Sequence, residues 1–253
     1  MRPSPRAARV ALAFFSLGFL SLGFAVTASA GPVEDAAAAF GRGDYVTVHA
    51  RIKSATTADW SALQVFAKQI GNNLYGEIAY NHLALIRSEG AQPEPGAASL
   101  EAKADPTCRV ALSLHRGNRV IRLWAMPSGA PVATVTSPAV IWSAAVSQHY
   151  LAVEAPQAVS LYDVRNGSLL RSIAKAKDAK VQTMGLYFSP DGKRVLVIPE
   201  VMRSFRGEGS GRLFDVETGR ELPAQTAVAP PISFEQETPA PDCPVVKQHT
   251  FAQ

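Results

Sequence analysis

The chain has 253 residues, with 25 lysines and arginines against 21 aspartates and glutamates, 47% hydrophobic residues and two cysteines. That length admits one or two ordinary domains. The formal charge of +4 does not mark a nucleic-acid binder, because Arg2, Arg6 and Arg9 all lie before the first acidic residue, Glu34. Beyond position 30 the balance is 22 basic against 21 acidic residues, which leaves no electrostatic footprint for a polyanion.

Residues 1–30 read as a secretory signal. Three arginines precede an apolar stretch from Val10 to about Val26, and Ala28-Ser29-Ala30 supplies the small residues a signal peptidase needs. Cleavage is expected between Ala30 and Gly31. Ser16, Gly18, Ser21 and Gly23 dilute the apolar run, which falls short of the ~20 residues of a comfortable bilayer span. No membrane association is expected after cleavage, and the location implied is periplasmic or secreted.

Residues 31–90 are expected to be helical. Pro32 suits a first helical position, Gly41-Arg42-Gly43 breaks the first helix, and a second runs from Tyr45 to Lys53. Leu63, Phe66, Ala67 and Ile70 have helical spacing, as do Ile78, Ala79, His82, Leu83 and Ile86. Gly41-Arg42-Gly43-Asp44-Tyr45 resembles the inter-helix turn of tetratricopeptide-type repeats, and Gly71 to Ala79 repeats its theme. A helical hairpin without repeat ancestry is the alternative. Residues 91–107, with Pro93, Pro95, Gly96 and Asp105-Pro106, read as a linker.

Residues 108–222 carry an internal repeat. Ile121 to Gly129, Val159 to Gly167 and Gly211 to Gly219 each place leucine, an aromatic and then glycine five positions after the aromatic. A short apolar strand follows each. Alternation sends Leu161 and Tyr162 to opposite faces, so both faces need cover. Asn166-Gly167 suggests a two-residue turn with positive φ at both positions. Ser189-Pro190-Asp191-Gly192 is a second turn signal, joining strands 182–188 and 195–198.

These segments resemble the WD-repeat and YVTN-type β-propeller families, through Tyr162-Asp163, Phe214-Asp215 and the Ser-Pro-Asp-Gly turn. Trp124 is followed by Ala125, and the glycines stand 38 and then 52 positions apart, which places an insertion at Glu200 to Ser210. The fold expected is α+β: a short helical region followed by a mainly antiparallel, propeller-like block of about three blades. Propellers usually close with four to eight, so exposed edges would call for a partner, self-association or cover by the helices and tail. Residues 223–253 form a proline-rich tail.

Cys108 and Cys243, 135 positions apart, are expected to form a disulfide in an oxidising compartment. With no histidine close by, they do not make a zinc site. His49, His82, His115, His149 and His249 are scattered without metal-ligand spacing. The glycine-rich stretch Arg206 to Gly211 precedes a strand and lacks the lysine of a phosphate loop. Arg42-Gly43-Asp44 falls at a helix break, and Asn166-Gly167-Ser168 is explained by its turn. Asp163 and Asp215 occupy equivalent repeat positions, as expected of structural hydrogen bonds. Lys175, Lys177 and Lys180 are interrupted by Asp178 and read as a solvated loop.

No catalytic, metal or cofactor residues are therefore assigned. The expected role is a non-enzymatic interaction or scaffold protein, binding an unknown protein partner or itself. Trp124, Trp142 and Tyr162 are candidate aromatic anchors, but as repeat residues they fit a core position better. The alternatives are a degenerate propeller enzyme, quinoprotein-like or hydrolytic, and a homo-oligomer that completes a ring. N-terminal sequencing of the exported protein is expected to begin at Gly31; a retained Met1 would overturn the reading of the leader.

Overall fold

In the helical region, glycine and aspartate set the boundaries. The computed structural model describes residues 31–87, 100–115, 117–174, 183–199, 212–223 and 243–245; the expected leader, the insertion at 200–210 and the tail beyond Val245 lie outside them. Helix α1 (Pro32–Arg42) opens on proline, carries Glu34 and Asp35 in its first turn, and ends at Gly43 in the left-handed conformation. Asp44 then caps α2 (Tyr45–Ser54) by accepting the Thr47 N–H at 3.2 Å. A short 3-10 turn (Thr57–Asp59) leads into α3 (Trp60–Ile70), and α4 (Leu74–Arg87) follows. Tyr45 and Tyr75, one after each glycine break, stack with ring centroids 5.4 Å apart, and Phe40 meets both rings edge-on.

Twelve strands follow among the described residues, in three four-stranded antiparallel sheets. The first sheet comprises β1 (Leu100–Ala104), β2 (Val110–His115), β3 (Val120–Ala125) and β4 (Ala130–Thr136). The second comprises β5 (Ser143–Val146), β6 (Tyr150–Glu154), β7 (Ala158–Asp163) and β8 (Leu169–Ala174). The third comprises β9 (Thr183–Phe188), β10 (Arg194–Pro199), β11 (Arg212–Asp215) and β12 (Glu221–Leu222). In each sheet the strands lie in chain order. β5 packs on β9, and β1 and β2 approach β5, so neighbouring sheets meet along the side carrying their first strands.

Two sequence expectations need correction. The stretch read as a linker, 91–107, contains β1, paired with β2 from Leu100 opposite His115 to Ala104 opposite Ala111. Its Leu-Glu-Ala-Lys-Ala composition carries no β-branched or aromatic residue, so local propensity does not announce it. Asn166 is not left-handed either: the Gly167 N–H reaches the Asp163 carbonyl at 2.8 Å, closing a longer turn in which Gly167, at φ 70°, is the left-handed residue. The same bond, also 2.8 Å, joins Gly129 to Ala125 and Gly219 to Asp215.

The Leu-aromatic step organises the core. Leu123 enters the apolar layer between the first and second sheets, and Leu161 the layer between the second and third. The adjacent aromatics turn the other way: Trp124 faces the helices, Tyr162 the first sheet and Phe214 the second. Full burial of one such side chain stabilises by about 1.5–3 kcal/mol. The turn glycines reproduce the order. A β-carbon on Gly167 would stand 3.1 Å from the Thr134 carbonyl oxygen of β4, and one on Gly219 would stand 3.0 Å from Arg171 Cδ of β8. One on Gly129 would meet the Tyr75 ring at 3.0 Å. The helical region therefore occupies, beside the first sheet, the place that each sheet takes beside the next.

This contact separates two left-handed glycines. Gly117 (φ 78°) has open space around its missing β-carbon, whereas Gly167 abuts β4. Gly117→Ala is expected to cost only the conformational strain of about 1–2 kcal/mol. Gly167→Ala should add about 1–3 kcal/mol of overpacking, read as a lower urea midpoint. Equal losses would contradict the packing described.

Candidate binding surface

The turns that open the three sheets come together around a shallow cavity of about 90 Å³, lined by Asp105, Ser147, His149, Ser189 and Asp191 among others. Asp105 accepts the N–H groups of Thr107, Arg109 and Val110 at 2.7–2.9 Å. Ser147 exchanges hydrogen bonds with the Tyr150 backbone. Ser189 donates to Asp191 at 2.5 Å and accepts the Arg194 N–H at 2.9 Å. These groups are engaged in closing their own turns, an arrangement that fixes backbone rather than one that activates a nucleophile.

Hydrogen bonds also account for the perturbed carboxylates. Asp163 is held below the usual carboxylate range chiefly by the Arg165 side chain, Asp215 by Thr218 and Asp191 by Ser189. Asp163 and Asp215 each accept a backbone N–H from their own turn, from Arg165 at 2.8 Å and Thr218 at 2.6 Å. Their shared repeat position thus carries a shared structural bond. Burial, with Lys53 adding to it, pulls His49 down to about 4. Among the described residues, no group of three or more His, Cys, Asp or Glu is placed to hold a metal ion.

The candidate aromatic anchors are separated rather than brought together. Trp124 is 1% exposed against the helices, where its indole N–H donates to Ser113 Oγ at 2.8 Å. Ser113 in turn donates to Glu77 on α4 at 2.5 Å, and Glu77 also pairs with Arg122. Tyr162 is 6% exposed between the first two sheets. Both are core residues, because the repeat needs an aromatic to fill the preceding layer. Trp142 is half-buried beside β5, its backbone N–H donating to the Glu154 carbonyl at 2.9 Å.

A different surface carries the apolar character. On the third sheet, Val195, Val197, Leu186 and Phe214 face the second sheet. Alternation then turns Tyr187, Leu196, Leu213 and Leu222 to the other face. The register sets Tyr187 opposite Leu196, Leu196 opposite Leu213, and Leu213 opposite Leu222. One apolar row thus crosses all four strands. Each of these residues is half-buried, and none joins the three buried clusters among the described residues. The Tyr187 ring lies back over Gly185, and burial raises its phenol. Leu213 is the third copy of the forward-facing repeat leucine, so the repeat alignment held the signal for this surface.

The disulfide is present. Cys108 and Cys243 are bonded with Cα atoms 5.7 Å apart, and Cys243 and Val245 are buried in the layer between the helices and the first sheet. Cys108, at φ 54°, is the one non-glycine residue in the left-handed region among those described.

No family model matches the chain, and no curated protein matches it. Among solved structures, that of Kluyveromyces lactis Hsv2p is similar with a TM-score of 0.37 and 14% identity, covering 46% of this chain and 36% of that one.

The disulfide encloses the described residues of all three sheets from β2 onward in one covalent loop of 135 positions. The chain-entropy relation sets an upper stabilisation of about 5 kcal/mol for such a loop. Cys108→Ser with Cys243→Ser is expected to lose a large part of that, seen as a lower denaturation midpoint of the mature chain. An unchanged midpoint would show that the bond adds no stability.

Proposed function

We propose that this chain is an exported, non-enzymatic interaction module of propeller-like β blades whose docking surface is the outer face of the third sheet. One observation carries the reading: the forward-facing leucine of the repeat meets a following sheet at Leu123 and Leu161, whereas Leu213 lies in an apolar row that joins no described cluster. The helices already cover the opposite end of the stack through Trp124 and Gly129. The two ends are therefore chemically unlike, and association through apolar surface is directed to one of them. A disulfide supports an oxidising location such as the periplasm or the exterior. Among the described residues no helix is long and apolar enough to cross a membrane.

The test places a photoreactive phenylalanine derivative at Leu213 in one protein and at Val65, 55% exposed on α3, in another. After irradiation in the native host, position 213 is expected to form an adduct with a second polypeptide and position 65 is not. Equal yields at both positions, no adduct at 213, or an adduct only within the same chain would each overturn the docking surface.

A further inference from the structure

We propose that Asn166 is a modification site: its turn converts it spontaneously to isoaspartate, and the product loosens the joint between the first and second sheets. The chain has five asparagines, and Asn166 alone is followed by glycine. It is exposed in the turn between β7 and β8. Deamidation at such a pair is an internal substitution. The Gly167 backbone nitrogen gives its proton to solvent base and attacks the side-chain carbonyl carbon of Asn166. The new C–N bond closes a cyclic imide as the bond to the side-chain nitrogen breaks, and that nitrogen takes up a proton and leaves as ammonia. Water then opens the imide at either carbonyl. One opening gives aspartate; the other reroutes the main chain through the side-chain carbon and gives isoaspartate. Water is the only co-reactant, and nothing is oxidised or reduced. Glycine favours the step because no β-carbon stands beside the attacking nitrogen.

The three repeat turns build the same bond at this position, and only one of them can react. The residue before the turn glycine accepts, through its side-chain oxygen, the N–H of the residue after the glycine. Ser128 accepts from Ala130 at 3.3 Å, Asn166 from Ser168 at 2.9 Å and Thr218 from Arg220 at 3.3 Å. In the first and third turns that oxygen is a hydroxyl, with no carbonyl carbon to attack. In the second it belongs to a carboxamide, so the bond folds the reactive carbon back toward the Gly167 peptide. The Ser168 N–H then stands against the oxygen on which negative charge develops during attack, the place of an oxyanion donor. One bond opposes the step: the Gly167 N–H donates to the Asp163 carbonyl at 2.8 Å. Attack waits on the opening of that bond, which makes the conversion slow and cumulative.

The product matters because of where Gly167 sits. Isoaspartate lengthens the backbone by one carbon immediately before this glycine. A β-carbon there would already stand 3.1 Å from the Thr134 carbonyl oxygen and 3.2 Å from Val135 Cγ2, and Val135 is buried in the layer between the first two sheets. A turn with an added backbone atom loses either its closing bond or this fit.

The oxidised mature chain is aged in mildly alkaline buffer, and the tryptic peptide 166–171 is followed by mass spectrometry, with fragmentation that separates aspartate from isoaspartate. Conversion at Asn166 is expected to run at least about tenfold faster than at Asn72, Asn73, Asn81 or Asn118, each followed by a larger residue. It should quicken as pH rises. The urea midpoint of the aged protein should fall in proportion to its isoaspartate content. Asn166→Ser, which copies the first turn, should keep its midpoint through the same ageing; Asn166→Thr, which copies the third, takes its place if the serine variant does not fold. Freshly prepared Asn166→Asp separates charge from backbone, and its midpoint should lie above that of the fully converted wild type. No conversion at Asn166, or conversion no faster than at the other asparagines, would overturn the site. Converted protein with the midpoint of the unaged chain, or of Asn166→Asp, would overturn the loosening.

Discussion

Two adjacent side chains on a strand point to opposite faces, and the rest of this molecule follows from how the repeat uses that fact. Leucine and an aromatic sit side by side at Leu123-Trp124, Leu161-Tyr162 and Leu213-Phe214. Because both are large and apolar, no sheet built on this pair is content with one covered face. Each needs a neighbour ahead and a neighbour behind. A stack follows directly, and so does the problem of how a stack stops.

At one end the chain solves that problem with helices. The aromatic there is a tryptophan, the one member of the three with an N–H to place, and it donates to Ser113, which is held by Glu77 from α4. Asn73 adds a bond to the Ser128 carbonyl at 3.0 Å, and the Leu74 N–H donates to the Gly129 carbonyl at 3.0 Å. The joint between helices and sheet is thus part apolar layer and part polar network. The layers between sheets are chiefly aliphatic. A polar joint fixes one geometry more strictly than an aliphatic layer, because a displaced network leaves buried groups unpaired.

Much of this was legible in the sequence, and the gaps have physical causes. The repeat leucines, aromatics and glycines announced the β3, β7 and β11 strands and their turns. The helix breaks at Gly43 and Gly71 announced the helical region, and the cysteine pair announced its bond. What stayed hidden were elements without local signal. β1 is alanine, lysine and glutamate held in a sheet by register with β2. The convergence of Asp105, Ser147 and Ser189 requires knowing that the first turns of the three sheets meet. Trp124 and Tyr162 were open to two readings, core or anchor, because aromatics serve both; their place in the repeat favoured the core, and their burial at 1% and 6% agrees. The apolar row on the third sheet depends on pairing across β9 to β12, a relation between residues up to 35 positions apart, from Tyr187 to Leu222.

The bond between Cys108 and Cys243 has a topological consequence besides its effect on the unfolded chain. With both cysteines joined, residues 108–243 form a closed circle of covalent bonds from which the helical region hangs as a branch. Opening the backbone at any one point in the circle turns it into an open chain but does not divide the molecule. A protease that nicks a single loop between β2 and the tail therefore produces no fragment to diffuse away, and the cut ends stay within reach of the sheets they left. For a protein expected to work outside the cell, where repair by resynthesis is slow and proteases are common, one crosslink makes the sheet stack tolerant of its first wound.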